Sequence, residues 1–213
     1  MPPGDAEKRD GWVEIVIATV LSAAALMTSW ATYQAALWDG DQAANYSHAN
    51  GLRVVSTRVR LEAESRQAIE IALFSSWLQA QAAGELGLAA FYEARFPPDL
   101  RPAFDAWVAL KPLKTPGAPL SPFALPTYRP AGIVEAAKLE AQADATFEAG
   151  QKANDVSDLF TQGGAILASA MFFSGICQVF RVRRVRLVLL AVAIVSCALG
   201  VTRILTLPMM QPG

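Results

Sequence analysis

Three stretches of this chain are too long and too apolar to belong to the core of an ordinary water-soluble domain. They cover residues 12–37, 159–180 and 187–207. Each supplies the ~20 residues that a helix rising about 1.5 Å per residue needs to cross roughly 30 Å of hydrocarbon. In lipid every backbone N–H and C=O must be satisfied within the protein, so helices and closed barrels are the structures that span. The expected fold class is therefore all-α: an integral membrane protein with three transmembrane helices and an extramembrane antiparallel helical hairpin or bundle. Composition agrees, with 53% hydrophobic and 17% charged residues, against soluble norms of about 45–50% and 25%.

A cleaved signal peptide is the competing reading of the first stretch, since Lys8 and Arg9 precede it and Ala23, Ala24 and Ala25 lie within it. Its length, the early Glu14 and the aromatic group Trp30, Tyr33 and Trp38 favour a retained span, with Trp12 at one interface and the later aromatics at the other. Orientation follows from Arg181, Arg183, Arg184 and Arg186, four arginines within six residues between the second and third spans. So short and positive a loop stays in the cytoplasm. The same cluster could touch anionic headgroups, and its plainer role is to set topology. The expected order is a cytoplasmic N-terminus (1–11), span one (12–37), an external helical domain (38–158), span two (159–180), a basic cytoplasmic loop (181–186), span three (187–207) and an external C-terminus (208–213). Asp5, Glu7 and Asp10 dilute the basic bias of Lys8 and Arg9.

The external domain reads as helix from Gln42 to Phe96, a coiled-coil-like stretch with Leu52, Val55 and Val59 on one face and Ile69, Leu73 and Trp77 continuing it. Arg58, Glu62, Arg66 and Glu70 alternate in sign at i,i+4, as on a solvated face. Gly40 and Asn50-Gly51 are places where the helix could bend, and Pro97-Pro98 stops it. Asp99 can cap a short helix carrying Leu100, Phe104, Trp107 and Val108 on one side. Nine of the thirteen prolines lie between Pro97 and Pro130, which makes 111–130 a proline-rich linker. It could serve as a PxxP ligand, or lie ordered along the helices, where Phe123, Leu125 and Tyr128 would find packing. An alanine-rich helix from about Ala131 should return antiparallel to the first and continue into span two. The domain holds eleven basic and fifteen acidic residues between Trp38 and Asp158, a net of −4 that specifies no partner.

Several function classes are disfavoured. A net charge of −1 lacks the basic face of a nucleic-acid binder. Cys177 and Cys197 both lie in apolar segments and read as buried thiols. His48 is the one histidine, and Asp39-Gly40-Asp41 lacks the further ligands of a calcium loop. No phosphate-binding loop or nucleophile elbow is present, so no catalytic residue, cofactor or metal is expected. The residues worth following are polar groups at membrane level: Glu14, Gln34, Asp39, Asp41 and Arg203. A stripe of small residues, Ala18, Ser22, Ala25, Ser29 and Thr32, suits helix packing or, in an oligomer, a pore. Span two carries Gly164 with Ala168 and Ala165 with Ser169 in the same manner. Leu73, Trp77 and Phe91 form the candidate contact face of the external domain.

The run Trp30-Ala31-Thr32-Tyr33-Gln34-Ala35-Ala36-Leu37-Trp38-Asp39-Gly40 resembles a family of uncharacterised bacterial inner-membrane proteins, a domain of unknown function. So do Lys111-Pro112-Leu113-Lys114, Ala118-Pro119, Pro122-Phe123 and Pro126-Thr127-Tyr128. The resemblance covers most of the chain and implies a bacterial inner-membrane location, with one span, a helical external domain and two C-terminal spans. It implies no activity and no functional residues. The expected partners are the lipid bilayer and either a second copy of the chain or a membrane or periplasmic protein. The leading expectation is a non-enzymatic protein that assembles through its external domain. A small oligomeric channel or transporter subunit and a ligand sensor are the alternatives.

Overall fold

The computed structural model describes residues 4–112 and 114–211, with the backbone alone for residues 4–10. The charges at Asp5, Glu7, Lys8, Arg9 and Asp10, the linker residue Leu113 and the last two residues therefore lie outside what is described. The described residues form helices joined by turns: α1 (Gly4–Ala82), α2 (Leu86–Glu93), α3 (Arg101–Ala109), a 3-10 turn (Pro122–Ala124), α4 (Ala131–Cys177) and α5 (Arg183–Leu205). Three segments, Gly11–Ala82, Ala131–Cys177 and Arg183–Leu205, are long and apolar enough to cross a membrane. The chain divides into two compact units, one of residues 1–46 with 147–213 and one of residues 47–146.

In the first unit, α1 buries Ile17, Ala24 and Ala31, each seven residues after the last, while α4 buries Ala153, Phe160, Leu167 and Ser174 at the same spacing. Burial every seventh residue is what helices lying along one another require. Phe160, Leu167 and Ile204 fill the space that Ala24, Ala31 and Ala35 leave open. A second cluster joins Val13, Ile17, Cys177 and Leu190. Glycine permits the closest approaches: a Cβ on Gly200 would lie 2.7 Å from Leu167 Cγ, and one on Gly163 would lie 2.7 Å from Ile204 Cγ1. Polar bonds cross the apolar seam, from Ser157 Oγ to the Ala35 carbonyl at 3.2 Å and from Gln42 Nε2 to Asn154 Oδ1 at 3.0 Å. The stripe Ala18, Ser22, Ala25, Ser29 and Thr32 is on the other side of α1, exposed, and so is not the packing seam within this unit. On α4, Gly164 and Ser169 are half-buried, and Ala165 and Ala168 are exposed.

The second unit repeats the seven-residue spacing with different chemistry. Ala49, Ser56, Ala63, Glu70 and Trp77 are buried on α1, as are Ala136 and Ala143 on α4. Ser56 Oγ donates to the Ala136 carbonyl at 2.8 Å, and Arg53–Asp144 (3.1 Å) and Arg60–Glu140 (2.7 Å) flank the seam. Leu52 and Val59 are only half-buried and Val55 is exposed. The expectation that these three form the buried face fails because the alanine helix comes too near for branched side chains. At Gly132 a Cβ would sit 2.8 Å from the Ala63 Cβ.

The helix begun by α1 also ends earlier than Phe96. Gly84 takes φ +75, its N–H donates to the Gln81 carbonyl at 3.2 Å, and the Glu85 N–H reaches back to Ala80 at 2.9 Å. This is the paired bonding of a glycine C-cap, which satisfies carbonyls that the helix end leaves open. Pro97-Pro98 instead closes the short α2. Asp99 does not cap α3; Leu100 precedes it without a side-chain bond, and Pro102 supplies the preset φ of the first turn. Beyond these breaks the chain folds over Phe74 and Trp77. Phe96, Leu100, Phe104 and Trp107 complete an aromatic core, against which Phe123 and Leu125 of the linker pack. The Trp107 indole N–H donates to the Pro119 carbonyl at 2.7 Å, so the proline-rich linker is ordered here.

Candidate functional site

Each residue singled out at membrane level has a definite place. Gln34 is 1% exposed. Its Nε2 donates to the Met210 carbonyl at 3.1 Å, and its Oε1 accepts the Met210 N–H at 2.9 Å. A buried amide is costly unless both ends are bonded, and here both are, by the backbone that follows α5. Gln34 thus tethers the C-terminal segment. Glu14 is exposed, and its carboxylate lies 3.8 Å from Arg186, whose own side chain is only 18% exposed. Asp39 and Arg203 are exposed and Asp41 is half-buried. The structure does not gather these five residues into one site. Among the described residues, no three His, Cys, Asp or Glu side chains converge on a position for a metal ion.

The candidate contact face divides. Trp77 is 6% exposed and edge-on to Phe104, with ring centroids 4.8 Å apart, and Leu73 packs against the same core. α3 and the linker cover them, which the helical spacing of α1 alone could not reveal. Phe91 is different. It stands 48% exposed on α2 with the Arg95 guanidinium 3.5 Å from its ring centroid. Leu86, Leu88, Val108, Leu110 and Leu120 are also exposed in this unit, Leu120 at 94%.

Two features of the second unit were not legible as sites in the sequence. One is a small polar cleft lined by Glu62, Arg66, Gln67, Glu70, Asp99 and Tyr128, among others. Glu70, expected on a solvated face, is buried at 4% exposure, and the Tyr128 hydroxyl donates to its Oε2 at 2.5 Å. Burial holds the Tyr128 phenol well above its ordinary range, reinforced by the bond to Glu70 and the charges of Glu70 and Asp99.

The other is an open groove of about 280 Å³ bordered by Trp77, Trp107, Val108, Lys111, Pro112 and Lys114. The Trp77 indole N–H is buried with no acceptor among the described residues. Lys111 holds φ +51 at the position just past the C-cap of α3. Its N–H closes the helix end on the Val108 carbonyl at 2.9 Å. Glycine usually fills that position, and a side chain there costs about 1 kcal/mol. The four-residue spacing of Trp107 and Lys111 was the available sequence signal, but the return of α3 onto Trp77 could not be read from it. No family model, curated protein or solved structure matches this chain.

Proposed function

We propose that the protein is a non-enzymatic, multi-pass protein of a bacterial inner membrane that assembles through its external helical domain. In this reading α1 and α4 form an antiparallel, coiled-coil-like hairpin, the N-terminus is cytoplasmic and residues 38–158 lie outside. Support for embedding comes from the outer faces of the first unit. Ile15, Leu26, Phe172, Val188, Val195 and Leu199 are all at least 57% exposed there. In water such surface is unfavourable by about 25 cal/mol per Å², and hydrocarbon removes that cost.

The observation that carries the assembly reading is the apolar surface of the second unit. Leu86, Leu88 and Phe91 on α2 are exposed in a unit that carries ten basic and ten acidic side chains and so has a mixed, water-compatible surface. Exposed apolar groups clustered on one short helix mark contact surfaces more often than solvent-facing ones. A photo-crosslinking residue placed at Phe91 in cells should yield an adduct with a protein partner or a second copy, and Leu88→Glu should reduce it at least about tenfold without affecting insertion. An adduct yield no higher than that at exposed Glu148 would overturn the reading. Trp77→Glu is unsuitable as a probe, because it would break the aromatic core rather than a surface.

A channel lined by Ser22, Ser29 and Thr32 has less support. Ser29 and Thr32 donate to their own helix, at the Ala25 and Thr28 carbonyls, over 3.0 and 2.9 Å. These hydroxyls are satisfied without pore water.

A further inference from the structure

We propose that the cleft beside Glu70 and Asp99 is a binding site for the ammonium group of a small primary amine. The inference stands apart from the assembly reading, since none of its residues lies on α2.

The first ground is the carboxylate of Glu70. The residue is 4% exposed, and the Tyr128 hydroxyl, which donates to Oε2, is its one hydrogen-bond donor among the described residues. An ionised carboxylate accepts up to about four bonds, so Oε1 is left without a donor of its own. Unlike the Trp77 indole N–H, Oε1 is not sealed off, because Glu70 forms part of the cleft wall. A buried carboxylate oxygen without a partner is unfavourable, and an N–H donor entering the cleft would remove that cost.

The second ground is charge. Asp99 is half-buried and borders the same cleft. No cation lies within 4.0 Å of Glu70 or Asp99 among the described residues. Burial, then the bond and charge of Glu70 and the charge of Asp99, hold the Tyr128 phenol above its ordinary range, so both carboxylates stand near its hydroxyl. Positive charge in the lining comes from the exposed Arg66, beyond 4.0 Å from either carboxylate, and from the start of α4 at Ala131. A helix start is worth about half an elementary charge. Glu62 adds a further carboxylate, 3.8 Å from Arg58. The space beside Glu70 is therefore short of positive charge.

The third ground is size. The cleft offers about 80 Å³, room for two or three atoms at roughly 30 Å³ for each of water size. An open groove with the same Arg66, Glu70, Asp99 and Ala131 in its wall adds Ile69, Pro97 and Pro98, an apolar ledge for a short alkyl chain. A metal ion is the poorer occupant, because no three ligating side chains converge among the described residues.

The experiment uses the full chain in nanodiscs with tyrosine 13C-labelled at Cζ. The chain has four tyrosines, and the Tyr128 signal is the one lost in Tyr128→Phe. Butylamine is the probe, cationic at about pH 7 as a lysine side chain is. Butanol is its neutral counterpart and tetramethylammonium a cation without N–H, all at one ionic strength. The expected result is a saturable shift of the Tyr128 signal with butylamine, half-complete at about 5 mM or below. Neither control should reproduce it. Glu70→Gln and Asp99→Asn keep size and remove charge, and each should weaken butylamine by at least about tenfold. Asp99→Asn carries the test alone if Glu70→Gln disturbs the fold. Arg66→Gln should tighten binding by about twofold or more, because it removes a like charge. No shift at about 50 mM butylamine would overturn the proposal. So would a shift that butanol or tetramethylammonium reproduces at the same concentration, or one that Asp99→Asn leaves at the parent's half-saturation.

Discussion

A glutamate buried in a helix that packs on alanine is unfavourable unless something answers its charge, and at Glu70 the answer is the phenol of Tyr128. The bond ties the returning linker to α1 and has a definite pH sense. Tyr128 is held above its ordinary value, so the folded chain binds its phenolic proton more tightly than the unfolded chain does. The stability it contributes is complete below the unfolded value of about 10 and is lost as pH rises from there through the folded value. Tyr128→Phe should therefore destabilise the second unit by about 1–2 kcal/mol at pH 7. It should also flatten the alkaline loss of helicity that begins near pH 10. Urea unfolding followed by circular dichroism at about pH 7 and pH 11 checks both effects. If the variant and the parent lose stability equally at high pH, the phenol–carboxylate bond is not the source. Neither residue was expected to meet the other: 58 positions separate them, and the i,i+4 pattern placed Glu70 among solvated charges.

At the scale of helices, packing is decided by the smallest side chains. A Cβ at Gly200 would lie 2.7 and 2.8 Å from two carbons of Leu167, which is itself fully buried and has nowhere to move. Gly200→Val should destabilise the first unit by about 1–3 kcal/mol through overpacking. Gly40→Ala should have the opposite effect. A Cβ there meets nothing within 4 Å, and replacing glycine inside a helix gains about 0.5–1 kcal/mol. Thermal melts of the two variants in the same nanodiscs should move in opposite directions, and a shared direction would contradict the packing. The same small residues explain what the sequence disclosed and what it hid. Long apolar stretches announce helices that can span, because only length and hydropathy matter there. The seams are another matter. Ala49, Ser56 and Ala63 look like helix-favouring or polar filler, whereas Leu52, Val55 and Val59 look like a core, and only the partner helix reverses the two. The helix end at Gly84 was hidden in turn by the louder Pro97-Pro98, and the cover that α3 gives Trp77 depends on a return no local pattern encodes.

For the whole molecule, the distribution of arginine poses a problem that helix energetics does not solve. α4 ends at Cys177 and α5 begins at Arg183, so Arg183, Arg184 and Arg186 occupy the first turn of a helix. Cations are disfavoured there by the helix dipole, by about 0.3–1 kcal/mol each. The proposed membrane topology gives the exposed Arg183 and Arg184 a reason: held against cytoplasmic headgroups, they fix which way α4 and α5 cross. The prediction is directional. With Cys177 and Cys197 replaced by serine, a cysteine at Leu120 should react with a membrane-impermeant maleimide in intact cells. One at Val182 should react only after the membrane is opened. Leu120 suits the purpose because it is 94% exposed, and Val182 because it is 60% exposed beside the arginines. The reverse pattern would place the aromatic core and its groove in the cytoplasm. Arg181→Glu with Arg183→Glu and Arg184→Glu should then shift the Val182 label toward the outside in at least part of the population. If the three changes leave labelling untouched, orientation is set elsewhere and the position of these arginines at a helix start needs another cause.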